Sequence, residues 1–194
     1  KIVKIKLKIS KNNNLTLNNK ARINKILKMY PSYEINLFVA VGLNFIRKKI
    51  FDFLWDNFKK KVNFPILISK NSFIHDNVKI GKGSVIMPGV VINANSHIGK
   101  QCIINSSSSI DHDCIISSFV SLGPGVITGG NVKIGSMTHI GIGTNINHNL
   151  KIGSNIVIGS SSLVNTNCIS NFVYYGIPIK KIRKREIYDD YLNS

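Results

Sequence analysis

"VIMPGVVINANSHIGKQCIINSSSSIDHDC", residues 85–114, carries isoleucine at 86, 92, 98, 104 and 110, one every six residues. The period holds outward in both directions. Stepping by six from Ile68 to Val164 meets seventeen positions, sixteen of them aliphatic, with Thr128 the exception and no insertion. Four residues after each lies a second, mostly small or β-branched series, among them Val90, Ser96, Cys102, Ser108 and Cys114. Gly, Asn, Asp or Ser commonly follows the aliphatic position directly, as at Gly81, Asn93, Gly99 and Asn105, which predicts tight corners there. Neither the 3.6-residue period of a helix nor the alternation of an ordinary strand fits this pattern. A six-residue period is that of a parallel β-helix. Each unit forms one short face, three faces make an eighteen-residue coil, and coils stack about 4.8 Å apart. Cys102, Cys114 and Cys168 all fall on the small inward series and lack paired ligand spacing. They read as small buried hydrophobes, with neither a disulfide frame nor a metal site expected.

A chain of 194 residues accommodates one main domain with a small appendage. The expected division is a small α/β N-terminal domain over 1–66, the β-helix over 67–179 and a basic C-terminal tail over 180–194. The net charge of +17 is concentrated at the front, where residues 1–66 hold fifteen Lys/Arg against three acids. Such a front suits a polyanion: nucleic acid, anionic lipid or a nucleotide diphosphate. Solvated lysines in a Lys-, Asn- and Ile-rich chain are the competing explanation. No apolar run approaches the ~20 residues of a membrane span. The opening "KIVKIKLKIS" alternates Lys with Ile and Leu rather than forming a signal peptide, so a cytoplasmic protein without membrane insertion is expected. That stretch is strand-like. A further strand is predicted at "INLFVAV" (35–41) and an amphipathic helix over 45–60, with Ile46, Ile50, Phe51, Leu54 and Phe58 on its apolar side. The first glycine is Gly42, so no glycine-rich phosphate-binding turn follows the opening strand. Arg47 and the lysines near it are candidates for phosphate contact, with a solvated helix surface as the alternative.

Residues eighteen apart stack on one edge of such a coil. His112 lies two past its anchor Ile110, His148 two past Ile146, and Gly130 falls between them, so the two histidines share an edge about 10 Å apart. A glycine between two polar positions leaves room for a ligand to approach backbone. His75, His97 and His139 fall at other registers and are expected on the surface. Asp111-His112-Asp113 admits three readings. Metal ligands must converge, whereas three consecutive residues diverge. A solvated polar turn and a general base supported by a carboxylate both remain, and the position beside a ligand groove favours the base.

With these residues in place, the chain resembles the left-handed β-helix sugar acetyltransferases of bacterial surface-glycan pathways. Within them it is most similar to the bacillosamine-type nucleotide-amino-sugar N-acetyltransferases, with the sialic acid O-acetyltransferases as near relatives. The resemblance spans about residues 35–183. It rests on "FVAVGLNFIRKKI", the stretch 85–114, "GGNVKIG", the closing "YYGIPIKKIR", and above all the spacing of Asn105 to His112-Asp113. It implies a left-handed β-helix with a Rossmann-like N-terminal domain, here incomplete. It implies acetyl-CoA as the acetyl donor, no metal, a nucleotide-linked amino sugar as acceptor and a homotrimer with the cofactor between adjacent β-helices. His112 is implied as the general base, Asp113 as the acid that raises its basicity (in place of the Glu expected there) and Asn105 as a third catalytic-site residue. Gly130, Ile142, Ser160 and Ser121 match cofactor-contacting positions; Ser160 stands where Gly is expected, and Ser121 replaces a histidine. The implied reaction is acetyl-CoA-dependent N-acetylation of a nucleotide-activated deoxyamino sugar, with sugar or sialic acid O-acetylation as the alternative. A non-catalytic trimeric β-helix binding polyanions is the reading from another class; the absence of aromatic-basic interleaving argues against nucleic acid as the partner.

Overall fold

The computed structural model of the chain describes residues 17–186 and 188–192. The strand-like reading of "KIVKIKLKIS" lies outside the described residues. From Leu67 onward each six-residue unit forms a two-residue strand and a four-residue corner, and the strands stack into three parallel faces. The first face runs from Leu67–Ile68 to Val157–Ile158 and is extended by an antiparallel hairpin, Phe172–Gly176 with Ile179–Lys184, to eight strands. The second has six, from Phe73–Ile74 to Leu163–Val164, and the third five, from Lys79–Ile80 to Lys151–Ile152. Residue i pairs with residue i+18 through the repeat, as Ile92 with Ile110, Ile110 with Thr128 and Ile98 with Ile116, and the last coil closes two residues shorter, with Val157 paired to Val173. The architecture is the expected left-handed parallel β-helix. Its anchors are buried from Ile86 to Val164, and the three cysteines are buried free thiols. Burial pushes Cys102 up to about 11 and Cys168 up to about 12, so these thiols stay protonated. Small polar residues share the interior because their hydroxyls find acceptors there, most often a carbonyl of the next coil, as Ser108 Oγ does at Gly123 O (3.0 Å) and Thr138 Oγ1 at Gly153 O (2.9 Å).

The corners correct one detail of the sequence reading. The left-handed backbone conformation falls three residues after the anchor, at Asn95, Asp113, Asn131 and Asn149, each with φ between 55° and 60°. Asn and Asp tolerate this region best among residues with a side chain. The glycines directly after the anchor serve another end. A Cβ on Gly81 or Gly99 would come within 2.5 Å of the next coil's backbone, so the close stacking itself excludes side chains there.

Among the described residues, two helices and a short parallel pair precede the β-helix. Helix α1 spans Leu17–Met29, Ile35–Asn36 pairs with Val62–Asn63, and helix α2, Asn44–Phe58, connects the pair. This is the incomplete α/β unit that the sequence implied. The partner strand is two residues long, so after a last bond from Leu37 N–H to Asn63 O at 2.8 Å the rest of the predicted strand 35–41 leaves the pair. Helix α2 buries Ile50, Phe51, Leu54 and Phe58. Phe119, from a β-helix corner, enters the same cluster, its ring 5.9 Å from that of Phe51.

Arg47 is neither a phosphate contact nor a solvated surface residue, because it is buried between α2 and the first face at 1% exposure. Its guanidinium donates to the carbonyls of Gln101 (2.9 Å), Val41 (2.9 Å) and Gly42 (2.6 Å), to Asn44 Oδ1 (2.7 Å) and to Ser121 Oγ (2.9 Å). The planar fork of five N–H donors is fully used, with Phe119 O at 3.4 Å as a further acceptor. The tail is also docked. Arg185 donates to Met137 O and Ile156 O, Tyr191 Oη accepts the Asn44 N–H at 2.8 Å, and the Tyr191 ring stacks on His139 at 4.2 Å. His139 is therefore not the surface residue expected, because the tail covers it. His75 and His97 are exposed. No helix among the described residues is long and apolar enough to cross a membrane.

Replacing Arg47 with Lys removes the fork and leaves several buried acceptors without donors. Urea unfolding should show a loss of at least ~3 kcal/mol, from two or more lost bonds to a charged donor. A second expectation concerns acid. Burial, then Arg185 and Arg47, lower His139 from 6.5 to about 4 in the fold. The unfolded chain takes up the proton first, so stability falls as pH drops from about 6.5 toward 4. His139→Phe should flatten the dependence of Tm on pH across that window.

Candidate active site

The second face is bounded by two corner columns. The column before its strands holds Asn105, Ile142 and Ser160, in the corners leading into Ser109–Ile110, Asn145–Ile146 and Leu163–Val164. The column after them holds His112, Gly130 and His148. At the second column the His112 imidazole Nδ1 lies 2.7 Å from Asp113 Oδ2. The carboxylate can only accept, so Nδ1 carries the hydrogen and Nε2 presents a free lone pair. His112 is held above the ordinary histidine value, first by the bond to Asp113 and then by the charge of Asp111. Asp113 is held below the ordinary aspartate value by the same bond, with the Asn95 amide second. Asp111 accepts the His112 backbone N–H at 2.8 Å and an Asn93 amide hydrogen at 3.1 Å, which fixes the turn under the histidine.

The next coil is shaped around this ring. A Cβ on Gly130 would lie 2.6 Å from both Cε1 and Nε2 of His112, and one on Gly129 would lie 2.8 Å from His148 N. Both glycines are required, one for the ring on one side and one for the backbone on the other. Thr128, the one non-aliphatic anchor, is buried at 3% exposure and its Oγ1 accepts the Asp111 N–H at 3.2 Å. At neighbouring corners the equivalent amide donates to an anchor carbonyl, as Asn93 does to Ile110 and Gly99 to Ile116. The break in the aliphatic series thus marks the site; it was visible in the sequence, without its reason.

The other expected residues are placed as follows. Asn105 sits at the far edge of the second face from His112, with no hydrogen bond between them, and its Oδ1 accepts the Ser106 N–H at 3.0 Å. Ile142 shares that edge and is 58% exposed. Ser160 stacks on the same column, so Asn105, Ile142 and Ser160 form one group and His112, Asp113 and Gly130 another. Ser121 joins neither. It lies on the first face, buried at 6% exposure, accepting from Arg47 and donating to Asn44 Oδ1 at 2.6 Å.

Comparison with known proteins agrees with this architecture. Residues 71–106 match the family model for bacterial transferase hexapeptide, six repeats. The fold is similar to perosamine N-acetyltransferase from Caulobacter crescentus, solved as a histidine-to-asparagine variant with CoA and GDP-perosamine. The TM-score is 0.76 at 28% identity, over 82% of this chain and 73% of that one. It is similar also to the acetyltransferase domain of PglB from Neisseria gonorrhoeae in complex with acetyl coenzyme A, with TM-score 0.73 and 29% identity over 76% and 70% of the two chains. WeeI from Acinetobacter baumannii shares the fold at 21% identity and TM-score 0.72, over 84% of this chain and 94% of that one. No curated protein sequence matches the chain.

Gly130→Ala should push the His112 ring off Asp113, since the added methyl falls inside van der Waals contact of Nε2. An NMR titration of the His112 imidazole should then report a midpoint closer to that of free histidine, with the overall fold retained.

Proposed function

We propose that this left-handed β-helix protein of the bacterial hexapeptide transferase type is an acetyl-CoA-dependent N-acetyltransferase acting on a nucleotide-linked amino sugar. The observation that carries the reading is the His112–Asp113 pair, with Nδ1–H on the carboxylate and bare Nε2 lying against Gly130. In the reaction the sugar amine attacks the thioester carbonyl carbon as His112 Nε2 takes the proton leaving the nitrogen. The C–S bond then breaks, the amide forms, and the proton passes from His112 to the departing thiolate to give CoA. Asp113 stabilises the imidazolium while it lasts. The missing side chain at Gly130 gives room to the imidazole itself, and the exposed edge of the ring leaves the proposed donor an open approach. The likeness to enzymes solved with CoA, acetyl coenzyme A and GDP-perosamine supports donor and acceptor class alike.

The assembly belongs to the same proposal. His112 and Gly130 stand on one edge of the second face and Asn105, Ile142 and Ser160 on the other, and that face carries exposed Phe73 and Ile127. Copies of the chain packed through it bring the two edges together and leave the donor between adjacent β-helices. A homotrimer accomplishes this with one repeated interface.

Acetyl-CoA consumption against a panel of nucleotide amino sugars, with sialic acid included, tests the reading. Turnover of an amino sugar supports it, and turnover of sialic acid alone assigns O-acetylation instead. His112→Ala should lower kcat/KM by ~10²–10⁴. In the wild type, activity rises with pH through a midpoint above that of free histidine, because only unprotonated His112 accepts the proton. Asp113→Asn should move that limb to lower pH and lower its plateau. A variant lacking His112 that keeps full activity overturns the base assignment.

A further inference from the structure

One column on the His112 edge consists of side-chain amides and a carboxylate at eighteen-residue spacing: Asn77, Asn95, Asp113, Asn131 and Asn149. Its members bond from coil to coil. Asn77 Nδ2 donates to Asn95 Oδ1, Asn95 Nδ2 donates to Asp113 Oδ1 at 3.1 Å, and Asn131 Nδ2 donates to Asn149 Oδ1 at 2.9 Å. Asn77 is fixed at its own end, since its Oδ1 accepts the Asn95 N–H at 3.0 Å and faces His75 Nδ1 at 2.8 Å. Asp113 therefore uses its two oxygens differently: Oδ1 receives the ladder and Oδ2 receives His112 Nδ1. The Asp113 side chain is 50% exposed, and on an open corner a carboxylate free to turn would give up the imidazole to water.

We propose that Asn95, steadied by Asn77, is a positioning residue for the His112 base, holding the Asp113 carboxylate so that Oδ2 stays on Nδ1 and Nε2 stays bare. The assignment rests on His112 being the base, as proposed above. Asparagine suits the task twice. It tolerates the left-handed corner at φ 60°, and its amide donates to the carboxylate while accepting from Asn77. Aspartate at 95 would set a second negative charge on Asp113, and alanine would leave Oδ1 to solvent. The charged groups facing the imidazole are Asp111 and Asp113 of its own corner. The preceding coil contributes the neutral Asn93 and Asn95, the following coil Gly130 and Asn131, and His148 stands two coils on.

The test compares Asn95→Ala with Asn155→Ala in the whole 194-residue chain. Asn155 has φ 55° and bonds to Asn171 on another edge, so it carries the same backbone penalty without touching the site. In Asn95→Ala the NMR midpoint of His112 should fall toward that of free histidine, and the pH limb of kcat/KM should move with it. At neutral pH kcat/KM should fall about tenfold, a fraction of a general base's full contribution, with KM for acetyl-CoA unchanged. Asn155→Ala should leave the midpoint in place, and Asn77→Ala should move it less than Asn95→Ala in the same direction. A His112 midpoint unmoved in folded Asn95→Ala overturns the inference. If instead the midpoint moves and no acetyl transfer is found with any acceptor, Asn95 positions the pair and the proposed reaction is the part that falls.

Discussion

Parallel pairing of each residue with the one eighteen further on is the constraint from which the rest of this molecule follows. It fixes the neighbour of every side chain before any particular contact is considered, because coils one strand spacing apart leave no freedom of register. A site on such a solid is a column. His112 meets Gly130 because they are eighteen apart, and Asn95 meets Asp113 for the same reason. The repeat also sets what a column tolerates. Its corners demand left-handed backbone three residues past each anchor, and Asp113 stands at one of them with φ 58°. Aspartate satisfies the backbone and supplies the carboxylate at a single position.

Docking of the front unit depends on a different kind of interaction. A guanidinium buried without any carboxylate is normally costly, and desolvation lowers the Arg47 pKa accordingly. Here the cost is offset by backbone carbonyls of two units that point at one another: Val41 and Gly42 ahead of α2, and Gln101 on the β-helix. Arg47 thus satisfies acceptors that would otherwise be stranded where an irregular loop meets a solenoid corner. Ser121 and Asn44 complete that network, and the tail closes it when Tyr191 Oη accepts from the first amide of α2. One buried cation ties front, middle and end of the chain together.

The legible part of the sequence was whatever the period governs. Anchors, inward cysteines and the shared edge of His112, Gly130 and His148 follow from counting by six and by eighteen, without knowledge of any side-chain packing. Outside the period the reading was weaker, for stated physical reasons. Arg47 read as a phosphate contact or a solvated helix residue because a helical pattern places it on a face but says nothing of what covers that face. His139 looked exposed because its register points outward, and only the returning tail, fifty residues on in the chain, buries it. The glycines after each anchor were attributed to corner conformation, whereas they answer to the next coil's backbone. Local rules identify a residue's preference; which demand it meets is decided by long-range contacts.

The openness of the His112 edge bears on the base proposed for it. In one copy the His112 side chain is 58% exposed, so water competes for Nε2 and screens the carboxylate behind it. A base in that setting gains only modestly from its partner. Covering the edge changes the balance, since excluding water strengthens the His112–Asp113 attraction and lets the imidazolium form beside a fixed charge rather than a solvated one. The apolar second face, with Phe73 and Ile127 outward between the two columns, supplies the means within this chain's own surface. In the assembly proposed above, packing that buries those side chains would also bury the column, so assembly and the strength of the proposed base would be set by the same contact. On the proposal made for Asn95, the ladder aligns the carboxylate before assembly, so that covering the edge would find the pair already in register and would need no reorientation of Asp113.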